Sequence, residues 1–158
     1  QSGKDRIIVA AGRSEQPCLT ALAALGNEGC RKGQRIEVDL STAAAGNDAA
    51  NNLDLTDFGT GCQIACYSSD VQGHYDWHID LGTGRFSRRK LSLTVQLSAA
   101  DAYDGGDLEF HLSGLDRVRM RQQGSLIAFP SFHEHRVTPV TRGERFSLVA
   151  WVDGPPFR

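Results

Sequence analysis

The chain has 158 residues, 17 of them basic and 19 acidic, for a formal net charge of −2. This is the length of one domain. The near-neutral balance excludes a polyanion-binding surface spread over the whole molecule, so no nucleic-acid partner is implied.

A hydrophobic fraction of 40% and a charged fraction of 23% are enough for one core without staples. No apolar run approaches the roughly 20 residues that span a bilayer, so no membrane partner is expected. The start, Gln1-Ser2-Gly3-Lys4, is polar and has no initiator Met, which points to a trimmed chain without a signal-peptide apolar stretch. The cysteines are Cys18, Cys30, Cys62 and Cys66. Cys62 and Cys66 share one face of a predicted strand but stand too far apart to bridge. No CxxC zinc pattern occurs. Reduced core thiols in a cytoplasmic protein are therefore expected.

Residues 14–32 read as a helix: Ser14 is a plausible N-cap, Pro17 falls in the first turn, and Leu19, Leu22, Ala23 and Leu25 recur at helical spacing. Gly26 or Gly29 ends it. Residues 41–60, rich in Ala, Asn, Asp, Gly and Thr, read as a loop.

From Gly61 the period changes to short strands. Gln63–Tyr67 is the first. Lys90–Ser98 alternates, with Leu91, Leu93, Val95 and Leu97 on one face and Ser92, Thr94 and Gln96 on the other. Asp104-Gly105-Gly106 signals a turn. Asp107–Leu112, Arg117–Arg121, Ser125–Phe129 and Arg145–Val152 complete the set. Near-regular short strands predict a mainly β sandwich or squashed barrel with one helix packed outside. One domain is expected over residues 1–158, with 1–60 as helix and loop support and 61–153 as the barrel core.

In His78-Ile79-Asp80 the first and third side chains share a face at strand spacing. An imidazole and a carboxylate there could grip one cation. They would supply two ligands of a two-histidine, one-carboxylate triad, the arrangement that leaves positions open on iron(II). The third ligand has two candidates, His133 and His135. Ten residues past His135, Arg145 opens a strand on which Arg145, Ser147, Val149 and Trp151 share a face. The opposite face is uniformly apolar, so the arginine face looks into water or into a polar cavity. An arginine fork matches a carboxylate bidentately. Arg145 with Ser147 could therefore clamp a dicarboxylate, and Gln96 could donate to the same group.

Three segments together resemble a known family. They are Tyr75-Asp76-Trp77-His78-Ile79-Asp80, then Tyr103-Asp104-Gly105-Gly106-Asp107-Leu108, then the run from His135 to Arg145. This is the signature of prolyl 4-hydroxylase-type 2-oxoglutarate oxygenases, the bacterial PKHD-type hydroxylases in particular. The likeness covers roughly residues 62–152. It implies a double-stranded β-helix (jelly-roll, cupin-like) fold. It also implies iron(II) on His78, Asp80 and His135, Arg145 on the far carboxylate of 2-oxoglutarate, and Tyr67 against the same cosubstrate. Gln96 stands where relatives often carry a tyrosine. Trp77 replaces a residue that is often smaller, which leaves a narrowed substrate entrance or plain packing as its role.

The implied reaction hydroxylates a C–H bond of a prolyl, peptidyl or small-molecule substrate and releases succinate and carbon dioxide, with ascorbate as a candidate reductant. Two other readings of the same residues are a cupin-like metal enzyme of other chemistry and a non-catalytic binding barrel. A halogenase would need an open position where Asp80 stands. The basic run Arg85-Phe86-Ser87-Arg88-Arg89-Lys90 reads either as a solvated hairpin loop or as a greeting surface for an anionic substrate.

Overall fold

A computed structural model describes residues 8–11, 53–58, 63–112 and 114–157. The helix expected at 14–32 lies outside these residues, as do Cys18, Cys30 and Cys62. The described chain is built of ten strands: β1 (Ile8–Ala11), β2 (Asp57–Phe58), β3 (Gln63–Ser68), β4 (Tyr75–His78), β5 (Arg89–Gln96), β6 (Tyr103–Gly105), β7 (Leu108–Phe110), β8 (Ser125–Pro130), β9 (His135–Val137) and β10 (Val140–Asp153). One short helix, α1 (Arg117–Arg121), joins them.

Two antiparallel sheets result. The larger runs β1-β8-β5-β10-β2, with β3 and β6 also paired to β10. The smaller is β4-β9-β7. This is the mainly β, two-sheet architecture that the strand pattern predicts, and it fits the jelly-roll that the resemblance implies.

The alternation in β5 divides the larger sheet into two faces. Leu91, Leu93 and Val95 join Leu126, Ala128, Leu148, Ala150 and Val152 in one apolar layer. Each fully buried Leu or Val of this layer contributes roughly 1.5–3 kcal/mol by leaving water. The opposite face carries Ser92, Thr94, Gln96, Arg145 and Ser147, and these polar side chains are buried too. They point into the space between the sheets. The second apolar cluster, Leu108, Phe110, Met120, Ile127, Phe129 and Val137, bounds that space. β8 feeds both clusters, Leu126 and Ala128 to one and Ile127 and Phe129 to the other.

Three expectations need correction. Arg117–Arg121 is a helix, not a strand: the Asp116 carboxylate accepts from the Arg119 amide as an N-cap, and only Met120 of the five residues is buried. Within the expected loop at 41–60, Asp57–Phe58 pairs with Val152 and Asp153 as β2, and Leu53 is buried in the core. Cys66 is exposed rather than a core thiol. Of the two roles left open for Trp77, its contacts are those of packing: its ring stacks on His111 at 3.9 Å, with the Arg136 guanidinium 4.8 Å from its centre.

The turn at Tyr103–Asp107 depends on glycine. At Gly105, with φ +70°, a Cβ would fall 2.1 Å from the Pro139 carbonyl oxygen. At Gly106, with φ +61°, a Cβ would lie 3.1 Å from Arg145 Cδ. Gly106 thus lets the Arg145 stem run past this turn. Arg121 fastens the turn from α1, donating to the carbonyls of Tyr103 at 3.0 Å and Gly105 at 2.7 Å and to the Asp107 carboxylate.

Candidate metal centre

His78 ends β4 and His135 begins β9, and the two are directly paired across the smaller sheet. Asp80 lies just past the end of β4. Its amide and that of Leu81 both donate to the Ser131 carbonyl at 3.0 Å, which turns its side chain toward the histidines. One ligand atom from each of His78, Asp80 and His135 lies within 4.8 Å of the others. The carboxylate spans the pair: Oδ1 is 3.7 Å from His78 Nε2, and Oδ2 is 3.7 Å from His135 Nε2.

Both imidazoles are held in the same way. His78 Nδ1 donates to the Asp76 carbonyl at 2.7 Å, and His135 Nδ1 donates to the His133 carbonyl at 2.9 Å. A carbonyl can only accept, so each Nδ1 carries the proton and each Nε2 keeps its lone pair for a cation. Burial lowers the His135 pKa from its ordinary value, against the pull of Asp80, and so favours the neutral form that ligates. Phe129 and Phe110 wall this ring, with centroids at 4.6 and 5.8 Å. His133 contributes its backbone carbonyl.

Arg145 enters the same cavity from β10. It is only 1% exposed, and neither terminal guanidinium nitrogen has a hydrogen-bond partner. Its Nε donates to Gln96 Oε1 at 3.2 Å, and the Tyr67 ring centre lies 5.4 Å from its Cζ. Burial lowers its pKa, and the Tyr103 and Tyr67 phenols work against that shift. A guanidinium remains charged in a protein, so two unmet donors on a buried cation call for an anion.

The cavity has a volume of about 460 Å³ and is lined by the three presumptive ligands, Tyr67, Tyr75, Arg145 and Ser147 among others. Gln96 is not part of that lining and touches Arg145 from behind. Sequence reasoning missed Ser92, whose hydroxyl donates to Asp80 Oδ2 at 2.6 Å and meets the Ser131 hydroxyl at 3.0 Å. Its only signal was its place on the polar face of β5. Phe110 and Phe129 left no signal beyond that of core residues, and Tyr103 was visible only as part of the turn segment that carries the resemblance.

Two imidazole nitrogens and a carboxylate are a donor set suited to iron(II), and the orphaned fork beside them suits a dicarboxylate. Comparison with known proteins decides the family: residues 62–153 match the model of the 2OG-Fe(II) oxygenase superfamily. The chain belongs to this superfamily. Its cofactors are accordingly iron(II) and 2-oxoglutarate.

Among relatives of this oxygenase, a PKHD-type hydroxylase of a Synechococcus species is 40% identical over 80 residues, 50% of this chain and 36% of the relative. A PKHD-type hydroxylase of Hyphomonas neptunium is 43% identical over 82 residues, 49% of this chain and 37% of the relative. The chain thus spans well under half the length of these relatives. The crystal structure of a Pseudomonas putida prolyl-4-hydroxylase matches 75% of this chain and 63% of its own at 25% identity, with a TM-score of 0.53. Among the described residues no helix is long and apolar enough to cross a membrane.

Proposed function

We propose that this oxygenase hydroxylates a C–H bond, consuming 2-oxoglutarate and dioxygen and releasing succinate and carbon dioxide. The observation that carries the reading is the buried Arg145 fork, unmet at both terminal nitrogens, in the cavity shared by His78, Asp80 and His135. The superfamily match over residues 62–153 favours this reading over a cupin of other chemistry or a passive binding barrel.

In this reading His78, Asp80 and His135 hold the metal and Arg145 grips the far carboxylate of 2-oxoglutarate. Gln96 steadies the guanidinium through Nε, and Tyr67 and Ser147 wall the cosubstrate. Bound iron(II) supplies the redox chemistry that couples dioxygen to the C–H bond. The chain's own residues fix its surroundings. The two Nδ1 donations orient the imidazoles, Ser92 holds the carboxylate, and Phe110 and Phe129 keep water from the His135 side.

The PKHD-type names of the relatives and the prolyl-4-hydroxylase likeness support a prolyl, peptidyl or small-molecule substrate. Ascorbate as reductant and a cytoplasmic location belong to the same proposal.

Succinate release with iron(II), 2-oxoglutarate and air tests the reading. The parent is expected to form succinate and Asp80→Ala, folded by circular dichroism, to form none. Succinate from Asp80→Ala at near the parent rate would remove the facial triad from the account.

A further inference from the structure

We propose that Arg85 and Arg89 form an anion subsite at the cavity mouth that takes a carboxylate carried by the substrate. The inference rests on the oxygenase reading above and adds the substrate's charge to it.

Both residues line the cavity that holds the presumptive ligands. They come from the basic run after the metal motif. Its start folds into a 3-10 turn, Gly84–Arg88, that turns the run back toward the sheet. Both cations stack on Phe86: Arg85 Cζ is 4.7 Å and Arg89 Cζ 4.5 Å from its ring centre. Arg89 also lies 3.6 Å over the Trp151 ring. Stacking uses the face of a guanidinium and leaves its in-plane N–H groups free to donate.

Those donors have no acceptor. Among the described residues neither Arg85 nor Arg89 makes a side-chain hydrogen bond or ion pair. Elsewhere the arginines behave differently: Arg117 and Arg136 end on Glu109, Arg121 on Asp107, and Arg142 on Asp104. Arg88 and Arg119 also lack such partners but lie outside the cavity lining.

Charge balance leads to the same place. Asp80 is the one acidic residue in the lining, against Arg85, Arg89 and Arg145. Iron(II) and Arg145 together offset Asp80 and the two carboxylates of 2-oxoglutarate, with both histidines neutral. Arg85 and Arg89 then remain as the excess positive charges of the loaded cavity lining. Asp153, opposite Arg89 in the β5–β10 register, attracts it but does not come within ion-pair distance. A substrate carboxylate would meet both guanidinium groups and leave its neighbouring C–H bonds toward the metal centre. Charge-assisted hydrogen bonds of this kind are the strong ones.

The test uses protein loaded with manganese(II) and saturated with 2-oxoglutarate, so that Arg145 is occupied. Butyrate and its neutral isostere butyramide are the probes, and paramagnetic relaxation of their protons reads binding near the metal. Butyrate is expected to bind at least about tenfold more tightly than butyramide. Arg85→Gln and Arg89→Gln should each reduce that preference and the double variant abolish it, with 2-oxoglutarate affinity unchanged. Arg85 is exposed, so its replacement keeps the test valid even if Arg89→Gln disturbs packing on Trp151. Equal relaxation of the two probes, including none for either, or a preference that survives both substitutions, overturns the proposal. Failure of the parent to bind 2-oxoglutarate at all would instead count against the oxygenase reading.

Discussion

The Ser92 hydroxyl donates to Asp80 Oδ2 across 2.6 Å, joining the middle of β5 to the turn after β4. The bond occupies one lone pair of the oxygen that faces His135 Nε2 and so sets the direction of the carboxylate. Ser92→Ala should fold normally, because the site is buried and alanine fits within the space of serine. Metal affinity should fall by about 10–100-fold, the usual cost of losing such an outer partner. Metal titration with a melting curve on the same sample checks both parts. Unchanged affinity would make the contact incidental.

His133 and His135 part company in the structure. The imidazole of His135 faces Asp80, whereas His133 supplies a backbone carbonyl, which any residue would supply. His135→Ala should lose stoichiometric metal, and His133→Ala should retain it. Metal analysis of the two purified variants decides. The reverse result would move the ligand assignment to His133.

Arg145→Lys keeps the charge and loses the fork. The expected outcome is an affinity for 2-oxoglutarate lower by roughly 10–100-fold with metal content intact, since charged hydrogen bonds are worth about 1.5–3 kcal/mol. Gln96→Leu removes only the acceptor behind Nε and should have a smaller effect of the same sign. Isothermal titration of the metal-loaded variants measures both. Equal cosubstrate affinity in Arg145→Lys and the parent would assign the clamp to another cation.

Arg121 predicts a stability effect away from the chemistry. It donates to the Tyr103, Gly105 and Ala100 carbonyls and to Asp107. Arg121→Gln should destabilise the fold by about 1–3 kcal/mol, because the freed Tyr103 and Gly105 carbonyls are partly buried. Urea unfolding reads this directly, and a shift within error of zero would mean that the glycine turn holds itself.

The parts of the fold legible in the sequence were those with a strict period. β5, β8 and β10 alternate between an apolar layer and a second face, and the structure places Leu91, Leu93, Val95, Leu148, Ala150 and Val152 in one cluster. The same alternation misled at Arg117–Arg121. Val118 and Met120 there imitate a strand, while Asp116 at the N-cap position carried the correct signal. His78 and Asp80 were legible from their i, i+2 spacing and His135 and Arg145 from the resemblance of the run that joins them, and the structure gathers all four on one cavity. Ser92 and Ser131 were not, since their contact joins residues 39 positions apart, and no local period encodes it. Arg89 was visible only as part of a basic run. Its stacking on Trp151 depends on the β5–β10 register.

The most direct measurement of the central claim is an anaerobic titration of the metal-free protein with iron(II) and then 2-oxoglutarate, followed in the visible range. A weak charge-transfer band should appear only when both are present, saturate at one equivalent of each, and fail to form in His135→Ala. Arg145→Lys should require more 2-oxoglutarate to reach the same band. A parent protein that binds iron(II) yet gives no band with saturating 2-oxoglutarate would contradict the account.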